Sequence, residues 1–207
     1  MKSRSDTMNK TFDQKRFKTM IRVANVIALI GLIILSIAFV GSLVVFLVGL
    51  FIPEDLVTFT LSEMNVSTVF DMQLGMYLSE DVMNAEITLK SMLISGGITM
   101  AANVAFAWVL FYMLKRVFTE VESERPFSTL AIKSLYFIAF LFIAAGFILP
   151  VFEFIFTSSL VDQIPSPHFD ATYGLDMGRI FVGFLILILV GIFQYGAFLE
   201  TEYEETV

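Results

Sequence analysis

The longest apolar run in the chain extends from about Val23 to Ile52 and contains no charged residue. As an α-helix rising about 1.5 Å per residue, it spans about 45 Å, more than a bilayer core of about 30 Å. We therefore expect this helix to tilt in a membrane or to extend beyond it. The run is too long for a secretory signal peptide, because the apolar region of such a peptide covers only about 7–15 residues.

Three further apolar runs reach the length of about 20 residues that a membrane helix needs. They cover about 92–114, 131–156 and 178–199, so the sequence predicts four spans within a domain at 23–199. The composition agrees, since 57% of the residues are hydrophobic and only 16% are charged. Soluble domains are closer to about 25% charged. The predicted fold class is an all-α integral membrane protein with four transmembrane helices.

The basic residues predict which ends of these helices face the cytoplasm. Eleven of the thirteen lie before the first span or from Lys115 to Lys133, around the connection between spans two and three, and the exceptions are Lys90 and Arg179. Because Lys and Arg concentrate in cytoplasmic connections, we expect both termini to be cytoplasmic. Residues 1–22 are then a basic cytoplasmic segment and 200–207 an acidic cytoplasmic tail. We expect the tail to fold back onto basic residues near the membrane; a solvated, disordered end is the alternative.

The first external connection, residues 53–90, is too long for a turn and predicts a small extracellular cap. Residues 57–62 alternate apolar and polar side chains, which is typical of a strand, and 69–74 are a weaker partner strand. From Ser79 onward the pattern favours a helix that continues into span two. An unstructured loop is the alternative.

Ionisable residues are rare within the predicted spans, and such residues are functional candidates because they are costly in lipid. Glu153 lies near the outer end of span three and Arg179 near the outer start of span four. We expect an ion pair between these helices. There are two alternatives. In the first, each side chain contacts water at the membrane interface independently of the other; in the second, the two form an ion or proton site.

Polar residues at four-residue spacing mark one face of span two: Ser95, Thr99 and Asn103. Gly97 and Ala101 form a neighbouring pair of small residues that allows close helix packing. The strip is therefore predicted to pack against another helix, and a pore lining is the alternative. Similar close packing is possible at glycines elsewhere, namely Gly31, Gly41, Gly183 and Gly191.

Catalytic motifs are absent from the sequence. It has no Cys and one His, His168, and it lacks a P-loop, a nucleophile elbow and a dinucleotide fingerprint. A metal site at His168 would need further ligands that no spacing supplies. We therefore expect a protein that is not an enzyme, with no catalytic residue, cofactor or metal.

Two segments of the sequence carry recognisable motifs. The C-terminal "IFQYGAFLETEYEETV" contains a terminal signature at Phe193, Tyr195, Gly196, Leu199, Glu202, Thr206 and Val207. "RPFSTLAIKSLYFIA" contains a second motif at Pro126, Phe127, Ser128, Ile132, Leu135 and Ile138. With these motifs and the order and spacing of its four spans, the chain resembles the bacterial domain-of-unknown-function 2975 family. Three positions depart from the family's usual polar residues: Ala131, Gln194 and Phe198.

This resemblance implies a multi-pass protein of the bacterial cytoplasmic membrane without an assigned activity. Its members are often encoded beside a small helix-turn-helix regulator, which implies a role in signalling, immunity or anchoring of that regulator. The expected partners are the lipid bilayer, such a regulator or another membrane protein, and a further copy of the chain, with no direct binding of nucleic acid. A small channel or transporter, also oligomeric, is the alternative function.

Overall fold

The computed structural model describes residues 3–54, 57–60, 86–123, 125–164 and 171–206. Within these ranges the chain forms four long helices and one short pair of strands. The helices are α1 (Ser3–Phe51), α2 (Leu89–Glu122), α3 (Thr129–Val161) and α4 (Met177–Thr206). The strands are β1 (Thr58–Thr60) and β2 (Glu86–Thr88). The fold is therefore helical, and the described strands lie in the connection between α1 and α2.

All four helices are long and apolar enough to cross a membrane, which fits a multi-pass membrane protein. Each one covers its predicted span to within a residue and continues beyond it. The largest extension is in α1, whose 49 residues give a length of about 74 Å at about 1.5 Å per residue. The extension forms because the basic residues and glutamine before Val23 are good helix formers. The segment 1–22 is thus helical from Ser3 onward and continuous with the first span.

The predicted acidic tail is also continuous with the last span, because α4 ends only at Thr206. The chain therefore leaves the apolar region as a helix and has no turn at Glu200. This continuity differs from the expected disordered end, whereas the expected contact of the tail with basic residues near the membrane stays a prediction. The helix can continue through the tail because glutamate residues favour helices. In addition, the Thr201 hydroxyl donates to the Ala197 carbonyl at 3.0 Å.

The connection at 53–90 differs from its predicted secondary structure. β1 lies within the strand predicted at 57–62, but it pairs antiparallel with β2, with Phe59 opposite Ile87. The predicted helix from Ser79 into span two is therefore wrong at residues 86–88, where Ile87 is almost completely buried as a strand residue. Pairing is favoured here because the Leu89 amide also donates to the Val57 carbonyl at 3.1 Å. The predicted partner strand 69–74 lies outside the described residues, as does Ser79.

The contacts of the chain divide into two compact units. The first comprises Met1–Ser36, Phe106–Gly146 and Met177–Val207, and the second comprises Ile37–Ala105 and Phe147–Asp176. In the first unit, a buried cluster of Val117, Leu135, Ile138 and Val190 joins α2, α3 and α4. The second unit holds the two strands and the halves of α2 and α3 near them. Both chain ends and the α2–α3 connection belong to the first unit.

Candidate functional site

The connection between α2 and α3 is a short, hydrogen-bonded turn. The Arg125 amide donates to the Glu120 carbonyl at 3.0 Å, and the Ser128 amide donates to the Arg125 carbonyl at 3.1 Å. The Ser128 hydroxyl then accepts a hydrogen bond from the Ala131 amide at 3.1 Å, which caps α3. The motif serine thus fixes the start of α3, and with it the direction in which Phe127 leaves the turn.

Phe127 packs against α4, where the C-terminal motif lies. Its ring forms an edge contact with Phe193, with the ring centroids 5.6 Å apart. A Cβ placed on Gly196 would lie 2.7 Å from the Phe127 ring, so only glycine allows this approach. Two sequence motifs that are distant along the chain therefore meet in one cluster of Phe127, Phe193 and Gly196. Their joint function within the fold is to hold the α2–α3 turn against α4.

The remaining motif residues of α4 do not join this cluster. Tyr195 and Leu199 are exposed, and Glu202 is exposed near the end of the helix. Thr206 is the last residue of α4. These positions leave part of the C-terminal motif accessible beside the turn, while Phe193 and Gly196 are used in packing.

A polar cluster links α1 to the end of α2 in the first unit. Glu122 accepts hydrogen bonds from the Arg22 guanidinium at 3.3 Å and from the Asn25 amide nitrogen at 3.0 Å. This cluster was not predicted from the sequence. The signal was present, because Arg22 and Asn25 are three residues apart and so share one face of α1. The contact is partly exposed, so the ion pair contributes about 0–1 kcal/mol and serves mainly to orient the two helices.

The predicted polar strip of span two lies in the second unit. The Ser95 hydroxyl accepts from Ser159 at 2.7 Å, and the Thr99 hydroxyl lies 2.9 Å from the Phe152 carbonyl oxygen. These two residues therefore connect α2 to α3. Asn103 differs, because its amide nitrogen donates to the Thr99 carbonyl of its own helix at 3.0 Å. Ser95 is buried, and the hydroxyl groups of Ser95 and Thr99 are used in helix contacts.

Gln163 extends this hydrogen-bonded network to the strands. Its side-chain oxygen accepts from both the amide and the hydroxyl of Thr88, at 2.7 Å each. Its amide nitrogen donates to the Ser91 hydroxyl and to the Ser159 carbonyl. Gln163 was not among the residues predicted from the sequence. The available signal was the four-residue spacing of Ser159 and Gln163, which matches that of Ser91 and Ser95.

Three of the predicted glycine contacts are present in the structure. A Cβ on Gly97 would lie 2.9 Å from the Phe46 backbone, and one on Gly183 would lie 2.8 Å from the Ala139 carbonyl oxygen. A Cβ on Gly31 would lie 2.5 Å from the Phe111 ring. A Cβ added at Gly41 or Gly191 would have no atom within 4 Å, so close packing is not their function within the described residues.

Two further predictions concern an ion pair between Glu153 and Arg179 and the absence of a metal site. Glu153 lies in α3, where its carbonyl accepts from the Thr157 hydroxyl at 2.9 Å, and Arg179 lies in the first turn of α4. Their mutual contact stays a prediction. His168 lies outside the described residues. Among the residues that are described, no group of three or more His, Asp or Glu side chains is placed to hold a metal ion.

Residues 79–207 match the family model described as "Protein of unknown function (DUF2975)". The match covers more than half of the chain, including both motif segments and three of the four long helices. The chain therefore belongs to this family. No curated protein and no solved structure matches the chain significantly.

Proposed function

We propose that this member of the DUF2975 family is a non-enzymatic, multi-pass protein of the bacterial cytoplasmic membrane that acts through a protein partner at its cytoplasmic face. One observation carries the proposal: Phe127, Phe193 and Gly196 join the two family motifs beside the α2–α3 turn. A rigid turn next to exposed polar helix ends is suited to binding a partner. It offers no constellation of groups for catalysis.

The proposed topology places both termini and the α2–α3 turn in the cytoplasm. Eleven of the thirteen basic residues lie within residues 1–22 or between Lys115 and Lys133, on either side of the turn, and basic residues are retained on the cytoplasmic side. The inclusion of both chain ends and the turn in the first unit supports the assignment. The two strands then belong to an extracellular cap.

The proposed partner is a small helix-turn-helix regulator or another membrane protein. DNA-binding regulators carry basic surfaces, and the last turns of α4 contain an acidic sequence from Glu200 to Glu205. Electrostatic attraction between the two favours encounter more than final affinity. Binding would hold the regulator at the membrane, which is the physical basis of the proposed signalling, immunity or anchoring function.

Site-specific photocrosslinking in the native membrane tests this proposal. A photoreactive residue is placed at exposed Ser123 beside the turn or at exposed Glu202 on α4, with exposed Leu175 of the second unit as the control. We expect an adduct with the product of a neighbouring regulator gene at Ser123 and Glu202 and none at Leu175. Equal labelling at all three positions, or no regulator adduct at any of them, contradicts a cytoplasmic partner face.

A channel or transporter remains the competing function, and flux through reconstituted protein distinguishes it. The hydroxyl groups of Ser95 and Thr99 bond to α3, which supports a packing function for the strip over a pore lining. We expect proteoliposomes to show no ion or solute movement above that of protein-free vesicles. Movement that increases with protein dose and is lost in Thr99→Val would contradict the non-transport proposal.

A further inference from the structure

A groove between α2 and α3 in the first unit has a lining of two chemically distinct kinds. Its volume is about 550 Å³, within the range of about 300–1,000 Å³ that is typical of ligand pockets. The polar part of the lining consists of two cations and two hydroxyl groups, from Arg116, Lys133, Thr129 and Ser134. The apolar part consists of Met113, Leu130 and Phe137. Such a lining suits an amphipathic ligand.

The two cations and the apolar side chains of Met113 and Phe137 are separated along the helix axes. On α3, Thr129, Lys133 and Phe137 are four residues apart and so share one face, in that order from the helix start. On α2, Met113 precedes Arg116 by three residues, and α2 ends at Glu122. The two cations therefore lie toward the α2–α3 turn, and Met113 and Phe137 lie farther from it.

Both cations are available to a ligand. Within the described parts of the chain, neither Arg116 nor Lys133 forms an ion pair, and no carboxylate lines the groove. The Arg116 guanidinium lies 6.0 Å from the centre of the Tyr112 ring, which in turn stacks on Trp108. The Trp108 indole donates to the Ser36 hydroxyl at 3.0 Å. This series of contacts restricts the position of Arg116, so less conformational entropy is lost on binding an anion.

We propose that this groove binds an anionic phospholipid, with its phosphate between Arg116 and Lys133 and an acyl chain along Met113 and Phe137. Basic pockets between membrane helices on the cytoplasmic side are suited to anionic head groups. A soluble phosphate would leave the apolar end of the groove uncovered, and a zwitterionic lipid would bring its own ammonium group close to the two cations. The neighbouring groove of about 410 Å³ between α3 and α4 shares Lys133 but has no second cation in its described lining, so it is the weaker site.

This inference rests on the proposed membrane placement, and the two can fail separately. If the chain did not insert into bilayers, reconstitution itself would fail. If it inserts but the groove has no lipid preference, binding of anionic and zwitterionic lipids would be equal. Ser123 and Glu202, the positions chosen for partner crosslinking, do not line the groove.

Native mass spectrometry of the purified full chain, titrated with phosphatidylglycerol or phosphatidylcholine, tests the proposal. We expect preferential binding of phosphatidylglycerol, weakened about fivefold by either Arg116→Gln or Lys133→Gln and roughly 25-fold by both. Lys115→Gln removes the same charge from the adjacent residue outside the groove and is expected to leave binding within about twofold of the wild type. Equal losses in Lys115→Gln, or an unaffected double variant, would overturn the site.

Two further measurements keep the proposal testable if the double variant does not fold. Thr129→Glu adds a carboxylate to the groove at the start of α3, where an acidic residue is favourable for the helix, and we expect weaker phosphatidylglycerol binding. Thr201→Glu adds the same charge at an exposed position of α4 that lines neither groove, and it is expected to have no effect. Displacement of the lipid by an equal concentration of inorganic phosphate would identify a soluble anion site and contradict the lipid proposal.

Discussion

At the scale of single residues, the structure assigns different functions to side chains that look alike in the sequence. Gly196 and Gly191 lie on the same helix, yet only Gly196 has a neighbour, the Phe127 ring, where a Cβ would be. Thr99 and Thr157 both contact a carbonyl in their own helix, but only Thr99 also contacts the neighbouring helix at Phe152. Each pair therefore provides a variant and its matched control.

Gly196→Ala is expected to destabilise the protein, whereas Gly191→Ala is expected to be neutral or slightly stabilising. The added methyl group at residue 196 must displace the Phe127 ring, and such overpacking costs about 1–3 kcal/mol. At residue 191 the space is open, so alanine gains helix propensity of about 1 kcal/mol at most. Unfolding in detergent measures both changes. Similar stabilities for the two variants would show that Phe127 does not hold the turn against α4.

Thr99→Val is expected to destabilise the protein more than Thr157→Val. Valine keeps the shape of threonine but removes the hydroxyl that bonds to the Phe152 carbonyl on α3. A polar contact between membrane helices contributes about 0.6–2 kcal/mol, whereas Thr157 loses only a bond within its own helix. Thermal unfolding of both variants provides the comparison. If Thr157→Val were the more damaging change, the α2–α3 contact at Thr99 would not contribute to stability.

At the scale of elements, small residues determine how closely the helices approach. Gly97 on α2 packs against the backbone of α1 at Phe46, and Gly183 on α4 packs against the backbone of α3 at Ala139. Each contact lies within one unit. Close backbone approach supplies the van der Waals packing on which helix association depends in lipid, where the hydrophobic effect is weak. Pro150 lies inside α3 without ending it, so neighbouring groups must satisfy the carbonyl that loses its partner.

The predicted ion pair between Glu153 and Arg179 concerns the pairing of α3 and α4. Reversing either charge alone is expected to lower stability, because it places like charges together. Reversing both together is expected to restore much of the loss. A double-mutant cycle measured by thermal unfolding gives the interaction free energy between Glu153 and Arg179. Simple additivity would show that the two residues do not interact, and Glu153 would then be a stronger candidate for an ion or proton site.

At the scale of the whole molecule, the distribution of charge along the chain predicts the orientation in the membrane. The basic residues at the start of α1 and around the α2–α3 turn belong to the same unit as the end of α4. The few basic residues outside these segments include Lys90, which pairs with Glu54 at 3.0 Å beside the strands. The two units therefore differ strongly in positive charge, because the first unit contains every basic residue except Lys90.

Reporter fusions test this orientation directly. A fusion after Val207 is expected to report the cytoplasm, and an insertion within Ser62–Ser67 is expected to report the opposite side. The reason is the eleven-to-two division of the basic residues. The same reporter signal from both positions would mean that an even number of spans separates them, and the proposed topology would be wrong.

The sequence alone determined the number of long helices and their approximate bounds. Long apolar runs have few other structures available, because every backbone polar group must be satisfied within the segment in lipid. The helix ends were less predictable, since the polar flanks of Val23 and Leu199 carry no strong stop signal and the helices continue through them. The strand at 86–88 was missed because its partner at 58–60 is distant in the chain.

Only the tertiary structure decided which side chains meet. Helical periodicity identified Ser95 and Thr99 as one face, but it did not identify Ser159, Phe152 or Gln163 as the neighbouring groups. The motif at Phe127 and the motif at Gly196 were recognisable as sequences, whereas their contact depends on how α3 and α4 pack. Spacing along one helix is set by its geometry, but contacts between helices depend on crossing and register, which a single sequence does not encode locally.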